Sequence, residues 1–196
     1  MTRYRESVRS LLKERILDAA YERVAAEGWD RLKMTHVATT AGVSRQTVYN
    51  EFGSKAAIGQ ALVMREVERF LTGVQAELLA HPGDMRAAIT AGIGYTLRTA
   101  ADNALLKAIL TSSRGGDEGL LAHLTTSSEP LLDTAIGMLT AYAVEAWPDI
   151  DAHSRDLAVE AVVRLTVSHL VQPVAPPDVS AERIAEITMR VARAAA

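Results

Sequence analysis

Residues 45–50 place Arg45, Gln46, Thr47, Tyr49 and Asn50 almost side by side, so that a guanidinium, two carboxamides, an alcohol and a phenol share one short stretch. These are the groups that read a DNA duplex. Arginine forks onto the O6 and N7 of guanine, glutamine or asparagine pairs with adenine, and hydroxyls bind phosphate oxygens. To reach base edges together they must project from a rod narrow enough for the major groove, which means an α-helix. The segments around them must build that rod and hold it out.

The flanking residues have the types this requires. Val37, Ala38 and Ala41 form a small apolar face at helical spacing, and Gly42 accepts the positive φ that ends a helix without steric cost. Ser44 is placed as the N-cap of the next helix, and Val48 and Phe52, four apart, face inward. The pattern predicts two short helices joined by a tight turn, the second of about nine residues and roughly 13 Å long. A solvated two-helix corner is the plainer alternative, but turn glycine, cap, inward pair and outward polar set all agree on the first reading. Upstream, Leu12, Ile16, Ala20 and Val24 recur at four-residue steps among Lys13, Glu14, Asp18 and Glu22, predicting an amphipathic helix that ends at Gly28. Three helices in about 50 residues make a helix-turn-helix unit. Trp29 reads as a plug for its core.

Gly28, Val37-Ala38, Ala41-Gly42-Val43-Ser44, Thr47-Val48-Tyr49, Phe52 and Ser54-Lys55 together resemble the N-terminal domain of the TetR/AcrR family of bacterial transcriptional regulators. The resemblance implies that Arg45 and Gln46 address base edges, that Thr47 and Tyr49 touch phosphates and bases, and that Lys55 binds a phosphate. Lys33, Thr35 and Asn50 complete the implied DNA-binding set. Three positions depart from the family's pattern. Lys33 stands where a threonine usually caps the first helix of the motif, although its ammonium can hold a phosphate itself. Glu51 fills a slot often held by histidine or tyrosine, and its carboxylate repels the DNA backbone unless a cation pairs with it. Ala56 replaces a glutamate.

The chain has 196 residues, no cysteine and a formal net charge of −3. The charge is unevenly divided, with ten Lys or Arg against seven Asp or Glu in residues 1–55 and eleven against seventeen in residues 56–196, so +3 stands against −6. Positive charge therefore gathers around the motif. Arg3, Arg5 and Arg9 precede it, either lying along the DNA backbone or forming a solvated tail. The lack of cysteine excludes disulfides and cysteinyl metal sites. The charged start and the lack of a long apolar run read as a cytoplasmic chain with no leader and no membrane partner. His36, His81, His123, His153 and His169 fall in no metal-ligand pattern, and neither a phosphate-binding glycine loop nor a nucleophile elbow occurs. Asp149, Asp151 and His153 read as an exposed acidic turn. No enzyme, cofactor or metal is expected.

Beyond residue 53 the pattern is helical nearly throughout, so the chain reads as all-α, with a helix-turn-helix domain at 1–53 and a helical effector-binding and dimerisation domain at 54–196. Helices are predicted at 54–80, 84–101, 105–112, 128–147, 153–171 and 180–194, with a glycine-rich loop at 114–119. The last two resemble the pair that forms the family's dimer interface. Periodicity cannot tell that from intramolecular core, but one recognition helix reads too few bases, which favours a homodimer on a palindromic operator. The central helices carry mostly Leu, Ile, Ala and Met, with polar handles in Tyr95, Tyr142, Thr111, His123 and His169. A pocket among them suits a small hydrophobic effector, for which Phe70, Tyr95, Met138, Tyr142 and His169 are candidate contacts, each alternatively plain core. Arg98 and Arg164 read as solvent-facing, leaving no obvious buried cation for a carboxylate. The wording of residues 48–55 resembles a branch of the family governing alkane and fatty-acid metabolism or lipid export, which implies a long-chain acyl effector and a repressor released by it. A ligand-independent helical DNA-binding or scaffolding dimer is the alternative.

Overall fold

The computed structural model describes residues 2–103 and 129–193, apart from the side chains at 2, 3, 5, 6 and 129–131. The predicted helix at 105–112, the loop at 114–119, Thr111, His123 and the side chains of Arg3 and Arg5 lie outside the described residues. Eight helices and no strand occur among those described: α1 (Thr2–Glu27), α2 (Met34–Ala41), α3 (Arg45–Phe52), α4 (Lys55–Leu79), α5 (Met85–Asp102), α6 (Glu129–Ala146), α7 (Ala152–Val171) and α8 (Pro177–Arg193). The protein is all-α. No described helix is long and apolar enough to cross a membrane.

The chain forms two compact units, and among the described residues the division falls between Glu66 and Val67, inside α4. The reason lies in which core each turn of α4 enters. Ile58 and Leu62 are completely buried with Ile16 and Ala20 of α1, Val37 and Ala41 of α2 and Val48 of α3. Phe70, Val74 and Leu78 of the same helix belong to the second core. The part of α4 up to Glu66 thus belongs to the helix-turn-helix unit, and only the remainder belongs to the second.

In the first unit, α1 ends at Gly28 as its sequence demands but starts earlier than the apolar pattern suggests. Residues 2–11 contain neither glycine nor proline, so nothing in them interrupts the helix. Trp29 packs half-buried against the core. Arg65 of α4 is 7% exposed, and its Nη1 donates to Asp18 Oδ1 of α1 at 2.8 Å and to Glu14 Oε2 at 3.4 Å.

The second unit holds the rest of α4 with α5–α8. Asp84 caps α5 by accepting from the Ala87 amide, and Asp151 caps α7 by accepting from the Ser154 amide at 3.0 Å. The acidic turn around Asp149, Asp151 and His153 thus contributes a helix cap. Pro177 opens α8, where its missing N–H costs nothing. α8 packs on α5 and α7 and buries Ala181, Ile184, Ala185, Thr188 and Met189 within its own chain. Its other side leaves Val179 and Ile187 exposed, as α7 leaves Leu157 and Val171. α4 and α5 approach closely at Gly73, where a Cβ would collide with the Tyr95 ring and hydroxyl. Tyr95 in turn stacks on Phe70 with centroids 6.1 Å apart.

Candidate functional site

The turn between α2 and α3 is set by two backbone bonds. Gly42 adopts φ 63°, ψ 36°, its N–H reaches Thr39 O at 3.1 Å and that of Val43 reaches Ala38 O at 3.0 Å. This closes the last carbonyls of α2 in the left-handed glycine arrangement common at helix ends. Ser44 then accepts from the Thr47 amide at 3.0 Å, and its hydroxyl lies 2.8 Å from that of Thr47. Thr47 is thereby drawn into the cap. α2 starts differently: Lys33 occupies the cap position in extended conformation with no side-chain bond to the helix.

Val48 is completely buried, and this fixes which side of α3 faces out. Arg45, Gln46, Tyr49 and Asn50 are all exposed, as are Lys33 and Thr35 on the preceding elements. The exposed groups are held by contacts one turn apart. Gln46 Nε2 donates to Asn50 Oδ1 at 2.8 Å, and the Arg45 guanidinium sits 5.2 Å from the Tyr49 ring centroid with a 3.4 Å contact to its hydroxyl. Such pairs limit side-chain freedom before any partner arrives.

Glu51 is paired after all. Arg9 Nε reaches its two carboxylate oxygens at 2.8 and 3.1 Å, and the Glu51 side chain is only 13% exposed. The carboxylate is neutralised by a cation from α1, and Arg9 is an ordered helix residue rather than part of a tail. Lys55 is also engaged within the unit: its Nζ donates to Asp30 O at 3.2 Å and lies 4.8 Å from the Trp29 ring centroid. Trp29 therefore serves as both core and platform. An ammonium has three N–H groups, so Lys55 retains donors for another acceptor.

The second unit contains a cavity of about 140 Å³ whose wall is nearly all carbon. Phe70, Val74 and Leu78 of α4, Ile89 and Ile93 of α5, Leu139 of α6, and Val159, Val162 and Leu170 of α7 line it. Of the proposed effector contacts, Phe70 and Tyr142 are on this wall, whereas Tyr95 and Met138 pack against the same core without lining the cavity, and His169 borders a separate recess with Leu97 and Pro173. The Tyr142 hydroxyl donates to Leu78 O at 2.9 Å, so it offers the cavity its ring; burial also raises its pKa. His169 Nδ1 lies 2.9 Å from Leu165 O. Sequence reasoning missed the polar residues on the cavity wall, among them Trp147 and Arg155. A signal existed for the second. Arg155 stands in register with Ala158, Val159, Val162, Thr166 and Leu170, a charge on an otherwise inward stripe of α7.

Comparison with known proteins agrees with this arrangement. Residues 16–62 match the family described as "Bacterial regulatory proteins, tetR family", and residues 84–190 match "Bacterial Tetracyclin repressor, C-terminal domain". The chain is 32% identical over 186 residues to the HTH-type transcriptional regulator AlkX of Mycobacterium tuberculosis, covering 94% of this chain and 87% of that protein. It also resembles the crystal structure of the TetR family repressor AlkX from Dietzia sp., implicated in biodegradation of n-alkanes, with a TM-score of 0.67 and 29% identity over 92% of this chain and 97% of that one. FadR from Bacillus subtilis, solved with stearoyl-CoA, shares the fold at a TM-score of 0.55 and 16% identity, with 89% of this chain and 96% of that one covered. The chain belongs to the TetR family of bacterial transcriptional regulators.

Proposed function

We propose that this regulator is a homodimeric repressor that reads a palindromic operator through α3 and is released by a hydrophobic effector of the acyl class. The observation that carries the DNA reading is the capped α3 helix, anchored by Val48 and exposing Arg45, Gln46, Tyr49 and Asn50 on its outer side. In this reading Arg45 and Gln46 contact bases, Asn50 orients Gln46, and Lys33, Thr35, Thr47, Tyr49 and Lys55 hold phosphates. The outward Leu157, Val171, Val179 and Ile187 form the contact between protomers. Two recognition helices then enter major grooves about 34 Å, or a multiple of that, apart.

The effector reading rests on the cavity and on the relatives' names, one implicated in n-alkane biodegradation and one solved with stearoyl-CoA. An apolar cavity of roughly 150 Å³ takes a benzene ring. A long acyl chain exceeds this space of about 140 Å³, and its full insertion would push the lining helices apart. Phe70, Val74 and Leu78 on that lining belong to α4, the helix whose first residue is Lys55. A ligand that favours the widened form shifts the population away from the DNA-binding one by its difference in affinity for the two.

Gel-shift titration on the inverted repeat nearest the gene, with unrelated duplex as competitor, tests the DNA reading. The wild-type complex is expected to survive excess competitor. Arg45→Ala and Gln46→Ala should each lose about 1–3 kcal/mol on the operator alone. Lys55→Ala should weaken both duplexes alike. Equal losses on operator and random DNA for Arg45→Ala would remove its base-reading role, and a wild-type complex that competitor abolishes would leave a purely electrostatic binder.

A further inference from the structure

Two residues of the mostly apolar cavity wall, Trp147 and Arg155, hold hydrogen-bond donors that meet no acceptor among the described residues. Trp147 Nε1, just past the end of α6, and Arg155 Nε, in the first turn of α7, are both buried without a partner among the described residues. Folded proteins leave few such groups, and an unmet donor on a cation is the costlier kind. The polar groups on the neighbouring turns are bonded elsewhere, the Tyr142 hydroxyl donating to Leu78 O and the Asp151 carboxylate accepting from the Ser154 amide. The Tyr142 ring packs edge-on against Trp147 at 5.2 Å, which helps to fix the indole.

A ligand that satisfies one cationic and one neutral donor while filling a hydrocarbon cavity is a carboxylate on an apolar tail. The surroundings also give it a direction. Trp147 also borders a second recess of about 460 Å³, lined by Asp84, Arg86 and Arg193 among others, so the Trp147 end of the cavity meets polar ground. We propose that Trp147 and Arg155 form a head-group subsite that binds the carboxylate of a fatty acid, whose chain lies against the carbon wall that includes Phe70, Val74 and Leu78. The inference rests on the acyl-effector reading and narrows it: the regulator senses the oxidised acid in preference to the alcohol or hydrocarbon of equal length.

Calorimetric titration of the full chain with octanoate and with 1-octanol tests this. Wild type is expected to bind octanoate at least ~10-fold more tightly than octanol, the usual margin of a charge-assisted hydrogen bond over a neutral one. Arg155→Met should remove that preference and leave octanol affinity within about twofold, since methionine keeps an unbranched side chain at that place on the wall. Trp147→Phe should weaken octanoate binding less, because it removes the neutral donor only. The ligand-free Arg155→Met protein should melt no lower than wild type, as a buried donor without an acceptor stabilises nothing. Equal wild-type affinity for acid and alcohol, or equal losses of both in Arg155→Met, would overturn the subsite while leaving an apolar effector cavity in place. Binding of neither compound would overturn both readings. A lowered melting temperature in Arg155→Met with octanoate affinity unchanged would make Arg155 structural and likewise overturn the subsite.

Discussion

The two units solve opposite problems, and their cores differ accordingly. Among the described residues, the largest completely buried side chains of the first unit are Ile16, Val37, Val48, Ile58 and Leu62, whereas Ile184 and Ser180 are those of the larger second unit. The second core is instead arranged around an apolar space of about 140 Å³. Presenting α3 to a duplex calls for a framework that holds every outward side chain in register, and close packing from four helices supplies it. Receiving a ligand calls for surface that gains by being covered. Rigidity and unmet packing are thus allotted by task within one short chain.

Large-to-small and small-to-large substitutions should separate the two cores most strongly. Leu62→Ala is expected to cost about 2–5 kcal/mol, because a wholly buried side chain leaves a cavity that four packed helices cannot close. Leu139→Ala, on the wall of a space that is already open, should cost less. The reverse exchange inverts the order. Ala38→Leu overfills the first core, with an expected loss of about 1–3 kcal/mol. Ala158→Leu projects into existing volume and should leave the melting temperature near that of wild type while weakening octanoate binding. Chemical denaturation of the four variants decides the matter. Similar costs for Ala38→Leu and Ala158→Leu would erase the distinction between the cores.

Two arginines sharpen the same contrast on a smaller scale. Arg65 Nη1 is met by Asp18 and Glu14 of its own chain, although its Nε and Nη2 are buried without an acceptor among the described residues, whereas no described side chain bonds Arg155. Removing an acceptor should therefore matter only for the first. Asp18→Ala leaves the guanidinium of Arg65 largely buried with a longer, weaker partner, and about 1–3 kcal/mol of stability should be lost, the usual cost of a hydrogen bond to a charged group. Arg65→Met should cost less, since the carboxylates it abandons are exposed and regain water. The opposite order in thermal melts would mean that the ion pair, rather than burial of the arginine, sets the balance.

The same division explains what could be read from the chain before its fold was known. The α2–α3 turn, the Ser44 cap, the inward Val48 and the outward polar set all depend on neighbours within a few residues, so their types alone determine the local geometry. Contacts between distant segments are a different matter. Nothing near Glu51 announces that Arg9, 42 positions away, will neutralise it. The four-residue stripe Ile58, Leu62, Phe70, Val74 and Leu78 of α4 is broken only at Glu66, and one charge on a helix face does not say that the helix passes there from one core to the other. Tyr95 and Met138 have the right chemistry for a ligand wall and pack against the same core, Tyr95 on Phe70 itself, but neither reaches the cavity. Which face of α5 or α6 meets the cavity is decided by helices far away in sequence. Arg155 was detectable only as a charge interrupting an inward stripe.

The smallest expected effect concerns acid. Asp151 has its carboxyl held below the ordinary aspartate range, chiefly by the backbone N–H of Ser154. Glu186 is likewise lowered by hydrogen bonds from the side chains of Arg86 and then Arg190. Both lie in the second unit. A carboxyl with a lowered folded-state pKa contributes stability that is fully present above its ordinary value and fades as pH falls through that value towards the lower one. Both groups are exposed and solvent-screened, so each contribution is small. Trp29 and Trp147 report the two units separately, so single-tryptophan variants Trp29→Phe and Trp147→Phe can follow each unit through an acid titration. The Trp147 signal should show an acid-dependent weakening that Asp151→Asn combined with Glu186→Gln reduces, while the Trp29 signal is unaffected by that pair of substitutions. If the pair shifted both signals equally, the units would unfold as one, and the differences between their cores would bear on ligand binding but not on separable stabilities.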